Sequence, residues 1–397
     1  MPYISLLKQN RLLRNLTLMH LLIYFGMWFG TVGVYTLLDE MGASALLISL
    51  VTVVHLAPAV MHAPFTGVLL DRFKVSSLIK ITLLLEMVCA LAIIPITTKE
   101  YLWLLFLLLY IRMSASALTY TAILSLLPKV LTTDDLKPAN EIHAIVWSVS
   151  FAAGNAAGGI AVYAFGVKIA FFIDALFYAA AFWLFYRTQV GDFVSETSNN
   201  FIKMITDGIS YIKNNRLMLH LILLHSIVGA AIYDTLVTLL AQKVYASFIA
   251  IPLAIGFLNG SRSIGLFLGS IFINKYVTLK SFGYIFLLQS IAILFWITVQ
   301  CNFYASIVGI LCVGLFTALL WSFSYTLVQQ YCDEEYYGRV IAYNDMLFVA
   351  VGILVSLAIG FLADAKVPLQ AISTILAAIF FTGFIYYRFI YKRYLKI

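Results

Sequence analysis

An all-α integral membrane protein of twelve transmembrane helices, arranged as two pseudo-symmetric six-helix bundles, is the fold class this sequence predicts. Three observations predict it. First, of 397 residues 63% are hydrophobic and 11% charged, against about 25% charged in water-soluble domains, so the chain has too little polar surface to cover itself in water. Second, apolar runs alternate with short polar breaks, and the runs reach the roughly 20 residues that one helical crossing of a bilayer needs. Third, "DRFKVSSLIK" after the second run has an echo in "NKYVTLKSFG" after the eighth, with Asn274-Lys275-Tyr276 where the first copy has Asp71-Arg72-Phe73. The copies lie half the chain apart, as an internal repeat of two halves requires.

The elements follow in order. The basic opening "MPYISLLKQNRLLRN" shows no cleavable signal, because the apolar run behind it, 15–38, is long enough to span. The second run, 43–70, stops at Asp71-Arg72, and the third and fourth occupy 77–97 and 101–129. The fifth and sixth occupy 138–165 and 167–188. The longest polar segment follows, "RTQVGDFVSETSNNFIKMITDGISYIKNNR". Its second part spaces Phe201, Met204, Ile205, Ile209 and Ile212 as the apolar face of a helix lying on the membrane surface. Six more runs close the chain: 216–246, 250–273, 279–299, 302–331, 338–364 and 367–391. The domains predicted are an N-terminal bundle over 1–188, a cytoplasmic linker with an amphipathic helix over 189–215, and a C-terminal bundle over 216–397.

Lys and Arg set the orientation. With both termini cytoplasmic, 19 of the 25 fall on the cytoplasmic side, Lys99, Lys168, Lys243 and Lys366 fall outside, and Arg112 and Arg262 lie within crossings. The positive-inside rule favours that topology, and it accounts for the net charge of +7 without a nucleic-acid partner. Cys89, Cys301, Cys312 and Cys332 are scattered with no CxxC pair, so neither a disulfide framework nor a zinc site is expected. Neither a Walker motif, an HExxH motif nor a paired-carboxylate site occurs, which speaks against ATP drive, a cofactor and an embedded enzyme.

"GVLLDRFK" resembles the loop motif of the major facilitator superfamily. Gly67, Asp71 and Arg72 match it, while Lys74 replaces its second Gly and Val75 a basic residue. In that family the Asp meets the start of the eleventh helix and holds the cytoplasmic side closed, as a carboxylate at a helix N-terminus can. "GNAAGG" in the fifth crossing resembles the family's antiporter motif, with Asn155 for its Pro. Gly154, Gly158 and Gly159 are its small gating positions, where helices can approach closely. Arg112 with Ser116 resembles the Arg-containing motif of proton-driven exporters, with Ser for the usual Gly. "LPKVLTTDDLKPANEIHA", "AFFIDALFYAAAF" and "ITDGISYIKNNRLMLHLILL" are similar to the exporter branch that holds the enterobactin exporter and the macrolide efflux pumps.

The resemblance implies a secondary active transporter, not an enzyme: a proton-coupled exporter working by alternating access. Its place would be a bacterial inner membrane, as a multi-pass monomer, with protons, a small-molecule substrate and the lipid bilayer as its partners. In such a fold the first, fourth, seventh and tenth helices line the cavity. Here the first aligns His20, Tyr24, Trp28, Thr31 and Tyr35 on one face. The fourth offers Arg112, Ser116, Thr119 and Tyr120, the seventh Asp234, Thr238 and Gln242, and the tenth Thr317, Trp321, Tyr325 and Gln329. The substrate-binding candidates among these are His20, Tyr24, Trp28, Tyr35, Ser116, Tyr120, Thr238, Trp321 and Tyr325. Aromatic, hydrogen-bonding walls suit a drug-like or siderophore-like molecule.

Ionisable residues at membrane depth are functional candidates by default. Asp234 is the first choice for proton coupling, Glu86 the second, and Arg112 a partner that tunes them. Asp174 reads as a structural hydrogen-bonding group and Arg262 as structural. Histidines in the crossings keep a divalent-metal (iron-type) exporter open as an alternative, beside a lysophospholipid transporter. Spacing opposes a metal site: His55 and His62 are about 10 Å apart along a helix, and His220 and His225 point differently.

Overall fold

A computed structural model describes residues 2–188 and 201–396, with side chains for all of these except 2–4, 63–68, 70, 71, 128–130, 133, 134, 137 and 201–206. Among the described residues every regular element is helical. A bilayer demands this, since a backbone amide there has no water and must bond within its own segment. Helix α1 (Pro2–Gln9) leads into α2 (Arg11–Glu40), whose start is capped where the Leu13 amide donates to Asn10 Oδ1 at 2.9 Å. Then come α3 (Ala45–Arg72), α4 (Val75–Ile93) and α5 (Leu102–Val130).

Next is α6 (Thr133–Arg187), 55 residues that comprise two helices joined at a kink. A straight helix of that length would run about 80 Å, far beyond the roughly 30 Å of hydrocarbon it has to cross. Gly166 resolves the excess. Its φ of 80° and ψ of 165° break the helix, a conformation open to Gly because it has no Cβ. The two arms are the fifth and sixth crossings, divided where the sequence places the break. Eleven stretches of the described chain are long and apolar enough to span a membrane; α6 supplies two crossings, so the total is twelve.

Beyond the linker, α7 (Phe201–Asn214) is the expected amphipathic helix. It is also tied to its own chain: the Asp333 amide donates to the Tyr211 hydroxyl at 3.1 Å, and Tyr211 stacks on Tyr336. The seventh crossing departs from the continuous helix expected over 216–246. α8 (Arg216–Ile227) gives way to a 3₁₀ turn, Val228–Ala231, the chain extends at Ile232, and α9 (Asp234–Leu240) restarts it before a π-turn, Ala241–Tyr245. At the break Gly229 lies against the backbone at Phe348. Four further crossings follow α10 (Ile251–Leu268): α11 (Phe282–Val299), α12 (Phe303–Tyr331), α13 (Tyr337–Asp364) and α14 (Leu369–Ile390).

The chain forms two compact units. Unit 1 comprises Met1–Ala43, Val54–Thr197 and Ala250–Gly260; unit 2 comprises Ser44–Val53, Ser198–Ile249 and Ser261–Ile397. Each therefore holds a short segment from the other half of the sequence, the start of α10 in unit 1 and the start of α3 in unit 2. The core of unit 1 is built from α2, α4, α5 and α6 and includes the buried Leu16, Ile79, Leu83, Ile123, Tyr178 and Phe185. In unit 2 Trp296 is fully buried, and its indole N–H donates to Ser306 Oγ at 2.8 Å.

Candidate functional site

Unit 1 buries an ionic cluster within its membrane-spanning helices. Arg112 from α5 meets Asp174 and Tyr178, which the second arm of α6 presents one turn apart. The Arg112 Nη2 group lies 2.8 Å from Asp174 Oδ2 and donates to Asp174 Oδ1 and to the Tyr178 hydroxyl, each at 3.0 Å. Arg112 is 2% exposed and Asp174 not at all. Glu86, from α4, is likewise wholly buried. Its Oε1 accepts from the Thr119 hydroxyl at 3.1 Å, and that hydroxyl also lies 2.6 Å from Thr82 Oγ1. Oε2 is buried and makes no hydrogen bond in this arrangement. Arg112 and Asp174 are both within electrostatic reach of Glu86. Asp174 pairs with the guanidinium directly, while Glu86 lies near the pair and is bonded to Thr119. With both acids ionised the cluster carries one net negative charge, which a single proton cancels.

The same unit gathers an aromatic corner. His20 and Tyr24 of α2 face His143 of α6: the His20 and His143 rings sit edge-on with centroids 4.2 Å apart, and the Tyr24 hydroxyl lies 3.1 Å from His143 Nε2. Tyr120 of α5 tilts over His143 at 5.5 Å and is itself 42% exposed. A small cavity opens beside the pair, lined by Thr17, His20, Ile123, His143 and Val146 among others. His143 is a site residue that the sequence reading missed. Trp28 stacks on His55 and packs on Phe151. Ser116 is half-buried on α5, while Tyr35, 1% exposed, is packed into the core.

In unit 2 the broken seventh crossing places Asp234 at the first residue of α9, not in mid-helix. Arg262 of α10 donates to both of its carboxylate oxygens through Nη2, at 3.2 and 3.3 Å. Thr238 is fully buried and donates back to the Asp234 carbonyl at 2.9 Å. Trp321 and Tyr325 of α12 stack with centroids 5.1 Å apart, and His225 stands edge-on to Tyr325 while sharing a 2.8 Å hydrogen bond with Ser324. Trp321 is 45% exposed and so open to contact.

Among the gating candidates, the side chain of Asp71 lies outside the described residues, as does the packing around Gly67; both belong to the last turns of α3, and Arg72, its final residue, is exposed. The motif of the fifth crossing is a seam of close approach. A Cβ on Gly158 would stand 2.5 Å from the Phe29 carbonyl oxygen of α2, and one on Gly159 would stand 2.5 Å from the Pro252 carbonyl oxygen of α10. Gly154 faces α2 in the same way, at Phe25 and Trp28. Among the described residues no three His, Cys, Asp or Glu side chains converge as a metal ion would require.

Residues 16–357 match the family model of the Major Facilitator Superfamily. No curated protein sequence matches the chain. Three solved structures are similar. The nucleoside transporter NupG aligns at 14% identity over 96% of this chain and 100% of its own, with a TM-score of 0.75. A bacterial homologue of the iron transporter ferroportin, in an inward-facing state, aligns at 13% identity over 96% and 99%, with a TM-score of 0.72. A bacterial homologue of the human lysosomal transporter Spinster aligns at 12% identity over 100% and 98%, with a TM-score of 0.76. At such identities the likeness is one of fold, and the cargo of each belongs to that protein alone.

Proposed function

As this chain belongs to the major facilitator superfamily and is a membrane transporter, we propose that it exports a drug-like or siderophore-like molecule by alternating access, in exchange for protons. The observation that carries this reading is the buried cluster of Glu86, Arg112 and Asp174. Burying charge in a membrane protein is costly, and such groups mark ion or proton pathways. Asp234, the first expectation from the sequence, is matched one-to-one by Arg262. The cluster of unit 1 instead holds one acid more than it has bases, so the exchangeable proton is assigned to Glu86, and Asp174 positions Arg112.

Cargo recognition is assigned to the aromatic groups of each unit. His20, Tyr24, Tyr120 and His143 form one surface and His225, Trp321 and Tyr325 another. Rings offer area and stacking to a planar or cyclic molecule and attract a cationic one. Export of ethidium, a planar aromatic cation, from energised cells tests the reading. The wild-type protein should lower the retained dye and Glu86→Gln should abolish the effect at equal membrane abundance. Undiminished export by Glu86→Gln would remove Glu86 from coupling.

A further inference from the structure

Asp364 ends α13 with a charge that its own helix disfavours, because a helix C-terminus already carries partial negative charge. The start of α3 takes that charge. The Ala45 amide donates to Asp364 Oδ1 at 2.9 Å and the Leu46 amide to Oδ2 at 3.0 Å. These amides belong to the first turn of α3, where no carbonyl of the same helix can reach them, and the helix dipole adds its attraction for an anion. One turn before Asp364, the two helices touch at backbone. A Cβ on Gly360 would stand 2.6 Å from Ser49 Oγ and 2.8 Å from the Ala45 carbonyl oxygen. Hydroxyls continue the seam, with Ser356 donating to the Ser49 carbonyl at 3.5 Å and lying 2.5 Å from Thr235 Oγ1, which in turn lies 3.3 Å from Thr52 Oγ1.

All of these residues lie in unit 2, yet α3 continues beyond Val53 into unit 1. A single helix therefore has its first turns grouped with one unit and the remainder with the other. We propose that Asp364 is a releasable latch: it holds the first turns of α3 on the end of α13, and each transport cycle breaks and remakes it. The inference rests on the alternating-access reading and on neither cargo nor direction. Its chemistry suits release. Asp364 is exposed, so water replaces the two amides when they leave, and an exposed charge interaction is weak enough to exchange. Gly360 and the short hydroxyls leave a smooth surface on which α3 can dock again.

Spin labels test the latch without knowledge of the cargo. The four cysteines are replaced, and labels are placed on Leu46→Cys and Phe361→Cys, both exposed positions beside the contact. Distances are then read by pulsed electron resonance in lipid nanodiscs. Asp364→Ala should raise the ratio of long to short distances about fivefold, the change expected for losing a capping carboxylate worth about 1 kcal/mol. Asp364→Asn, which keeps an acceptor but no charge, should fall between. Gly360→Val, with Asp364 intact, should lengthen the distance independently by driving Ser49 away. A second pair, on Phe73→Cys and Tyr337→Cys, follows the opposite ends of the same helices. If either pair shows two distances in the wild-type chain and Asp364→Ala leaves their ratio unchanged, the latch is wrong and alternating access stands. If neither pair shows a second distance in any variant, alternating access itself fails and the latch with it.

Discussion

Arg112 is held by one carboxylate and one phenol in a site that water does not reach. Removing one partner of a buried pair costs about 3–5 kcal/mol, because the other charge is left uncompensated. Asp174→Ala should therefore lower the thermal midpoint of the detergent-solubilised protein sharply, and Arg112→Met added to it should recover much of the loss. An unchanged midpoint in Asp174→Ala would mean that the pair carries no weight. The opposite pattern is expected at the aromatic groups. Trp321→Ala should weaken binding of a planar ligand by about tenfold for each 1.4 kcal/mol lost and leave stability nearly intact, as Trp321 is exposed. A metal ion would be indifferent to that change and would respond to His20→Ala; titration of both ligands against both variants checks the cargo class. Glu86, Arg112 and Asp234 were legible in the sequence because an ionisable residue inside an apolar run is rare enough to be conspicuous. Their partners were not. Arg112 and Asp174 are 62 residues apart, a separation with no periodicity, so Asp174 read as a lone structural acid. His143 was hidden for a similar reason, its partners lying on two other helices.

Helices pack here without the help of water, since lipid is as apolar as the side chains it would release, and close contact through small residues does the work instead. Gly158 is where α6 meets the backbone of α2, at Phe29. Gly158→Leu should prevent that contact and cut the yield of monodisperse protein severalfold, whereas Gly338→Ala, at a glycine with nothing within 4 Å of a Cβ, should not; size-exclusion profiles compare the two. The crossings themselves were readable to within a few residues, because length and apolarity are all that a bilayer asks of them. The break in the seventh was not. "IVGAAIYD" is apolar and free of Pro, so nothing local announces a 3₁₀ turn, and the interruption arises with Gly229 seated against the α13 backbone. Its consequence is that Asp234 opens a helix, where a carboxylate is favourably placed.

The twelve crossings fall into two units, and each unit holds the start of one helix, α10 or α3, from the other half of the sequence. The repeat of "DRFKVSSLIK" made two halves an expectation of the sequence; the grouping of the α3 and α10 starts with the other halves was not one, since it depends on contacts between residues hundreds of positions apart. The resemblance of its loop motif implies that Asp71, at the end of α3, holds one end of the molecule closed. Asp71→Asn should slow transport severalfold with membrane abundance unchanged, measured as dye export against immunoblot. The central claim, exchange of cargo for protons through the cluster of unit 1, is most directly tested in proteoliposomes that contain purified protein and a trapped pH-sensitive dye. Imposing a gradient of transported substrate with no pH gradient should drive protons in the opposite direction in the wild-type protein and not in Glu86→Gln. Substrate movement that leaves the internal pH unchanged would contradict the account.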